Sequence, residues 1–294
     1  MNKSFNNRDG WIWMNGHFIP WKNATSHIIT QGLHYASAVF EGERAYSGKI
    51  FKSDEHTKRL FNSAKIIGIS IPFSEEEITI AKVELIEKMD KENCYIRPVV
   101  WRGSQQMGLS TNNADINVAI ALWDDWSSYF KIEDKLSGLK LITSPWKRPA
   151  PDTTPYEAKA SGPYIICTMS KQFAEERGYS DALMLDYRGY VAEGTGANIF
   201  FIKGKNIYTP IADCFLNGIT RQTVIKMVKE KEFNLIEKHI LPEDIDQFDE
   251  AFLTGTAAEL TPIKSIDKIM YNVGNNTISL DLMNDFTNLV NSSL

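Results

Sequence analysis

The sequence predicts a two-domain chain of mixed α/β class, of the α+β type, built largely from antiparallel hairpins. Three observations predict it. Turn dipeptides recur between short apolar runs, as they do in hairpins. Amphipathic helical stretches are interspersed with those hairpins, without the regular strand–helix alternation of a Rossmann sheet. A segment of mixed aromatics and acids, WDDWSSYFKIEDK over 123–135, interrupts both patterns mid-chain. The expected division is a small N-terminal domain over 1–122, an interdomain linker over 123–136, and a large C-terminal domain over 137–294.

The first half opens with a hairpin around Asn15-Gly16, because both turn positions tolerate positive φ. Ser47-Gly48 marks a second turn. A helix is expected from about Asp54 to Ile67, with Ser53 as its cap. Ser74-x-x-Glu77 is a capping-box pattern, opening a helix whose Ile78, Leu85 and Met89 share a face. Cys94 to Trp101 reads as a strand, and its alternation puts Tyr95, Arg97, Val99 and Trp101 on one side. Asp115 to Leu122 is a second long strand.

In the second half, Leu139 to Thr143 is a short strand, and its prolines make the following SPWKRPAPDTTPYEAKASG a loop. A helix from about Pro163 to Arg177 stops at Gly178. Strands Ala182–Asp186 and Tyr190–Glu193 flank Arg188-Gly189, and Asn198–Ile202 pairs with Asn206–Thr209 around Gly204-Lys205. Thr220–Lys231 is helical, Glu250–Leu253 is a strand, and a last helix starts near Leu280.

The 294 residues, 43% hydrophobic and 23% charged, suffice for a sizeable core. A net charge of -5 argues against nucleic acid as a partner. Cys94, Cys167 and Cys214 form no CxxC pair and sit among apolar residues, as core thiols in a reducing compartment do. MNKSFNNRDG lacks the apolar run of a signal peptide, and no stretch of about 18 apolar residues could span a membrane. A soluble cytoplasmic protein with no membrane partner is expected.

HExxH, GxSxG, GxxxxGK[ST] and a GxGxxG after a strand are all missing. The five histidines show no metal-ligand spacing, so no metal is expected. Four polar, glycine-bearing segments stand out instead: YEAKASG (156–162), EGTGAN (193–198), NGITR (217–221) and LTGTAAE (253–259). Free N–H groups at a helix start attract an anion such as phosphate, and Thr220 could add a hydroxyl. Thr256 and its neighbours could form a second set of donors. Read singly, each segment is an ordinary cap or turn.

Together with LHYASAVFEG (33–42), HTKRLFNSAKIIG (56–68), YIRPVVW (95–101), KASGPY (159–164), GYVAEGTGANIFF (189–201), NGITRQTVI (217–225) and FLTGTAAELTP (252–262), their order and spacing resemble the class IV, fold-type IV pyridoxal-phosphate enzymes. Within these the chain most resembles the branched-chain amino acid aminotransferases, and the resemblance covers almost the whole chain. It implies the two-domain, D-amino acid aminotransferase-like fold, a site in the interdomain cleft, a C-terminal domain carrying the cofactor lysine, and at least a homodimer. The implied reaction is ping-pong transamination of leucine, isoleucine or valine with 2-oxoglutarate, giving branched 2-oxo acids and glutamate.

The resemblance places the roles residue by residue. Lys159 supplies the primary amine that condenses with the aldehyde of pyridoxal 5'-phosphate, and then shuttles the substrate proton. Glu193 stands at the ring nitrogen and favours its protonated form. Tyr164 meets the phenolate oxygen. Arg59 grips the phosphate, with Thr220, Thr256 and the N–H groups of Ile219 and Ala257. Phe40, Gly42, Met107, Trp126, Tyr129 and Ala258 fall at substrate-pocket positions, and Tyr35 at one that reaches across a dimer interface. Tyr95 and Arg97 belong to YIRP, which marks the branched-chain branch, and Arg97 would meet the side-chain carboxylate of glutamate. Ala197 and Pro163 depart from the family pattern, where relatives carry Glu and His, Asn or Leu. They put the substrate range in doubt. The rival readings are a D-amino acid aminotransferase, an aminodeoxychorismate lyase and a non-catalytic cofactor-binding protein. YIRP and LHYASAVFEG oppose the first two, and the presence of Lys159 and Glu193 opposes the third.

Overall fold

The computed structural model describes residues 4–124, 136–231 and 233–292. The expected linker over 123–136 falls largely outside the described residues. Contacts divide the chain into two compact units: the first holds 4–124 together with 158–162, the second 136–157 and the described chain from 163 onward.

In the first unit, β1 (Trp11–Met14) and β2 (His17–Pro20) form the Asn15-Gly16 hairpin, with φ of 50° and 89° at the turn. A short helix α1 (Gln31–His34) leads to β3 (Ala38–Phe40), β4 (Glu43–Tyr46) and β5 (Lys49–Ile50). Helices α2 (Ser53–Ile66) and α3 (Glu75–Met89) precede the long strands β6 (Cys94–Arg102) and β7 (Ile116–Trp123). These strands make an antiparallel sheet in the order β2-β1-β7-β6-β4-β5, with β3 also on β6. Ser53 is not the cap of α2. Lys52 takes that place in a left-handed conformation, φ 54°, and Ser53 turns its hydroxyl to Lys82. The capping box at Ser74 and Glu77 is formed as read.

The two faces of this sheet differ because strand side chains alternate. Cys94, Ile96 and Val100 of β6 join Val118, Ile120 and Leu122 of β7 beneath Leu60, Ala64, Ile78 and Leu85 of the helices, all fully buried. The other face carries Tyr95, Arg97, Val99 and Trp101, less buried apart from Tyr95. Ala121 lies directly opposite Arg97 in the register of β6 and β7.

The second unit contains β8 (Leu139–Thr143), α4 (Tyr164–Glu175), β9 (Asp181–Leu185), β10 (Val191–Glu193), β11 (Asn198–Lys203), β12 (Asn206–Thr209), α5 (Ile219–Glu230), β13 (Asn234–Glu237), β14 (Glu250–Gly255), β15 (Glu259–Ile266), β16 (Ile269–Met270) and α6 (Ile278–Ser292). Their order is β10-β9-β8-β15-β14-β11-β12-β13, with β16 on β15. β10 also pairs with β11 through Glu193 and Asn198, so six strands close into a ring. Closure leaves those strands without a free edge. Leu141, Leu183, Ile199, Phe201, Leu253 and Ile263 are fully buried in its core. α6 begins two residues before the expected Leu280. The buried Glu250 of β14 accepts from the N–H groups of Ile278 and Ser279 and from the Ser279 hydroxyl. No helix among the described residues is long and apolar enough to cross a membrane.

Candidate active site

The expected site residues fall into two groups, one in each unit. In the first unit, segment 158–162 runs antiparallel to β3, with Ala160 bridging Val39. Lys159 is half-buried, and its Nζ lies 4.8 Å from the centre of the Phe40 ring. Burial, first, and then the Arg59 guanidinium lower the amine from its ordinary 10.5 to about 8. Such an amine has a substantial free-base fraction near neutral pH, which condensation with a carbonyl requires.

Arg59 is held by a residue that sequence reading did not single out. Glu41, fully buried, accepts from Arg59 Nε at 2.6 Å and Nη2 at 2.9 Å, and stands 2.7 Å from Nδ1 of His56. Burial alone would raise the Glu41 carboxyl, but Arg59 and His56 hold it well below the usual carboxylate range. Glu43, equally buried, has one cation for a partner, Lys82 at 2.8 Å, and burial pushes its carboxyl up. Ser53 and Thr57 complete the partners of Lys82, which is itself fully buried.

On the same sheet face, Arg97 Nη2 donates to the Tyr95 hydroxyl at 3.0 Å, and the guanidinium lies 4.9 Å from the Phe40 ring, 5.3 Å from Tyr95 and 5.9 Å from Trp123. Its Nε is buried without a hydrogen-bond partner among the described residues. A Cβ at Gly42 would lie 1.9 Å from the Tyr95 hydroxyl, so any larger residue would have to displace the Tyr95 ring. The fold thus brings Phe40, Gly42, Arg59, Tyr95, Arg97 and Lys159 together. Tyr35 and Met107 are exposed, at 43% and 51%. Trp126 and Tyr129 lie outside the described residues.

In the second unit, Glu193 is buried rather than facing water. Its Oε1 is 3.4 Å from Arg148 Nε, and its Oε2 accepts from the Asn198 amide at 3.1 Å. Arg148 is itself buried, yet the Glu193 carboxylate raises its guanidinium and keeps it a cation. Asn198 also donates to Leu216 O, and its Oδ1 accepts from the Gly218 N–H at the start of α5. One side chain therefore ties Glu193 to the helix terminus that bears Ile219 and Thr220. The first N–H groups of a helix have no partner inside it, and they suit an anion. A Cβ at Gly218 would come within 2.3 Å of Asn198 Oδ1, so this close approach requires glycine. Thr256, Ala257 and Ala258 form the tight connection from β14 to β15, where Ala258 is buried. Tyr164 opens α4.

Asp186, Asp213 and Cys214 are the grouping among the described residues with metal-ligand spacing. Arg188 pairs with both carboxylates, and burial pushes the Cys214 thiol up to about 12. Arg148, Asn198, Glu41, His56 and Ser63 were not marked as site residues. Arg148 and Asn198 touch Glu193, Glu41 touches Arg59, His56 stands behind Glu41, and Ser63 accepts from the main-chain N–H of Lys159. For Glu41, His56 and Asn198 the signal was their place inside the motifs; the loop around Arg148 offered none.

This arrangement matches the family described as amino-transferase class IV over residues 38–266, and the chain belongs to that family, with the mixed α/β architecture of fold-type IV aminotransferases. Among its relatives, the probable branched-chain-amino-acid aminotransferase of Rickettsia bellii is 43% identical over 92% of this chain and 94% of its own length. The branched-chain-amino-acid aminotransferase of Pseudomonas aeruginosa is 43% identical over 90% of this chain and 87% of its own. The crystal structure of the branched-chain amino acid aminotransferase of Escherichia coli superposes with a TM-score of 0.92 at 34% identity, covering 97% of this chain and 96% of that one. The resemblance to branched-chain aminotransferases read from the sequence is borne out.

Proposed function

We propose that this protein transfers amino groups between branched-chain L-amino acids and 2-oxoglutarate, with pyridoxal 5'-phosphate held on Lys159. The observation that carries the reading is the pairing of a lowered lysine amine with an arginine set among aromatic rings, beside relatives that carry this name. The residues present fit the cofactor: a reactive amine, a buried carboxylate and a helix start with free N–H groups. Bound pyridoxal phosphate supplies an electron sink that makes the substrate Cα proton acidic. Lys159 would take that proton from the substrate Cα and serve as the general acid–base of the transfer. Glu193, kept beside Arg148, would favour the protonated ring nitrogen, and Tyr164 would donate to the phenolate oxygen. By the family resemblance, Arg59, Thr220, Thr256 and the N–H groups of Ile219 and Ala257 would hold the phosphate.

Two substrates would then be accepted in alternation, with Phe40, Gly42, Met107, Trp126, Tyr129 and Ala258 at the positions that the family resemblance assigns to substrate binding. Leucine presents an alkyl group, and glutamate a carboxylate that cannot be buried unpaired. Arg97 answers both needs. Its guanidinium stacks on aromatic faces when the pocket holds an alkyl chain, and its N–H groups and the Tyr95 hydroxyl receive a carboxylate otherwise. Arg97→Met should weaken the half-reaction with glutamate by about 2–4 kcal/mol, the scale of removing a buried charge partner. The leucine half-reaction should change much less. Stopped-flow measurement of both half-reactions checks this, and equal losses would remove Arg97 from the carboxylate site.

We also read the working state as at least a homodimer. Ile28, Leu33, Tyr35, Met107 and Leu109 are exposed on two segments that Gln31 joins by donating to the carbonyls of Gln106, Gly108 and Ser110. A second copy of this chain would cover them.

A further inference from the structure

We propose that Ser63 is a positioning residue for the amine of Lys159: its hydroxyl, carried on α2, takes the main-chain N–H of Lys159 and so sets where the side chain leaves the backbone. The proposal rests on the reading of Lys159 as the reacting amine. Segment 158–162 pairs with β3 in antiparallel register. Phe40 N–H donates to Lys159 O at 3.1 Å, and Ser161 N–H donates to Ala38 O at 2.9 Å. In a regular ladder, the N–H of Lys159 would return the bond to Phe40 O. Here it donates to Ser63 Oγ at 2.9 Å. The ladder therefore breaks at the residue that carries the amine, and a helix hydroxyl takes over.

Ser63 is fully buried, and Ala158 and Ala160, on either side of Lys159, are packed into the same core as Leu60 and Ala64 of α2. A segment outside the named strands is thereby fixed by main-chain bonds to β3 and to α2 on either side of the amine. Ser63 also lies four residues after Arg59, so both project from one face of α2. The cation expected to grip phosphate and the acceptor that fixes the lysine backbone are thus mounted on one rigid element. Misplacing a reacting group by about 1 Å can cost a hundredfold in rate, so a single main-chain bond at this point matters for reaction more than for folding.

The test separates placement of the amine from integrity of the site. The full chain, freed of cofactor, is mixed with pyridoxal 5'-phosphate, quenched with borohydride over a time course, and the label on Lys159 is quantified by peptide mass spectrometry. In parallel, the Kd of pyridoxamine 5'-phosphate, which has no carbonyl and cannot react with the lysine, is measured by fluorescence. Ser63→Ala should slow labelling of Lys159 by about ten- to a hundredfold while leaving that Kd within about threefold. An unchanged labelling rate overturns the proposal. So does a parallel loss of labelling and of pyridoxamine phosphate binding, which would mark a merely structural role. If Ser63→Ala does not fold, Ser63→Cys, similar in volume but a weaker acceptor, is read by the same criterion. Labelling of the unmodified protein on a different lysine would instead overturn the proposed function, and it would be seen before any variant is compared.

Discussion

At the scale of single residues, the site is a matter of charges kept in unusual places. The Lys159 amine is lowered to about 8 because burial and Arg59 both disfavour its cation. Below that pH it is mostly protonated, and only the remaining free base attacks a carbonyl. Condensation with pyridoxal should therefore rise by roughly tenfold per unit up to about pH 8 and level off above it, whereas an ordinary lysine would keep climbing toward 10.5. Borohydride trapping across that range decides, and a rate still rising past about pH 9 would contradict the lowered amine. Glu193→Gln should leave Arg148 facing a neutral amide and slow Cα proton removal by about 10² in single-turnover experiments, with cofactor still bound. Near-normal turnover would exclude Glu193 as the ring-nitrogen partner. Lys159, Glu193 and Arg59 stand out in the sequence as candidates because they sit inside motifs. Arg148 does not, because its one marker is a distance of 3.4 Å to a residue 45 positions later in the chain.

At the scale of elements, local chemistry was readable where the partners are neighbours in the chain. The Asn15-Gly16 and Ser47-Gly48 turns adopt the positive φ that their residues permit, and Ser74 with Glu77 forms its capping box. Caps supplied from a distance were not readable. α6 is capped by Glu250, 28 residues earlier, an acceptor that the residues around its start do not announce. Glu250→Ala should leave the first N–H groups of α6 without that acceptor. A loss of about 2 kcal/mol is expected, checked by urea denaturation. A change within a few tenths would show that solvent replaces the carboxylate. α2 fails the simple rule in another way. Its expected cap, Ser53, spends its hydroxyl on the buried Lys82, and the chain enters the helix through a left-handed Lys52 instead. A buried ammonium needs all three acceptors more than an exposed helix end needs a cap.

At the scale of the whole molecule, each unit solves the burial of its sheet differently. The first covers one face of an antiparallel sheet with α2 and α3 and leaves the other to polar and aromatic side chains. The second closes six strands into a ring through the single pairing of Glu193 with Asn198. That pairing also places the carboxylate expected to tune the cofactor, so the closure and the site depend on the same two residues. The exposed Leu33 and Leu109 lead to a prediction at this scale. Sedimentation should find the protein at least dimeric at micromolar concentration, and Leu33→Asp with Leu109→Asp should shift it toward monomer. A monomer without any substitution would remove the proposed homodimer.

The sequence by itself determined the class of fold, most elements to within one or two residues, and the membership of the family. Those depend on periodicity, turn chemistry and motifs, which are local properties of the chain. Only the tertiary structure decided that segment 158–162 returns to the first unit, that Glu41 clamps Arg59, that Asn198 ties Glu193 to α5, and that Ser63 holds the lysine backbone. The physical reason is that a buried polar group must find a partner wherever the fold supplies one, and sequence separation carries no information about which one that will be.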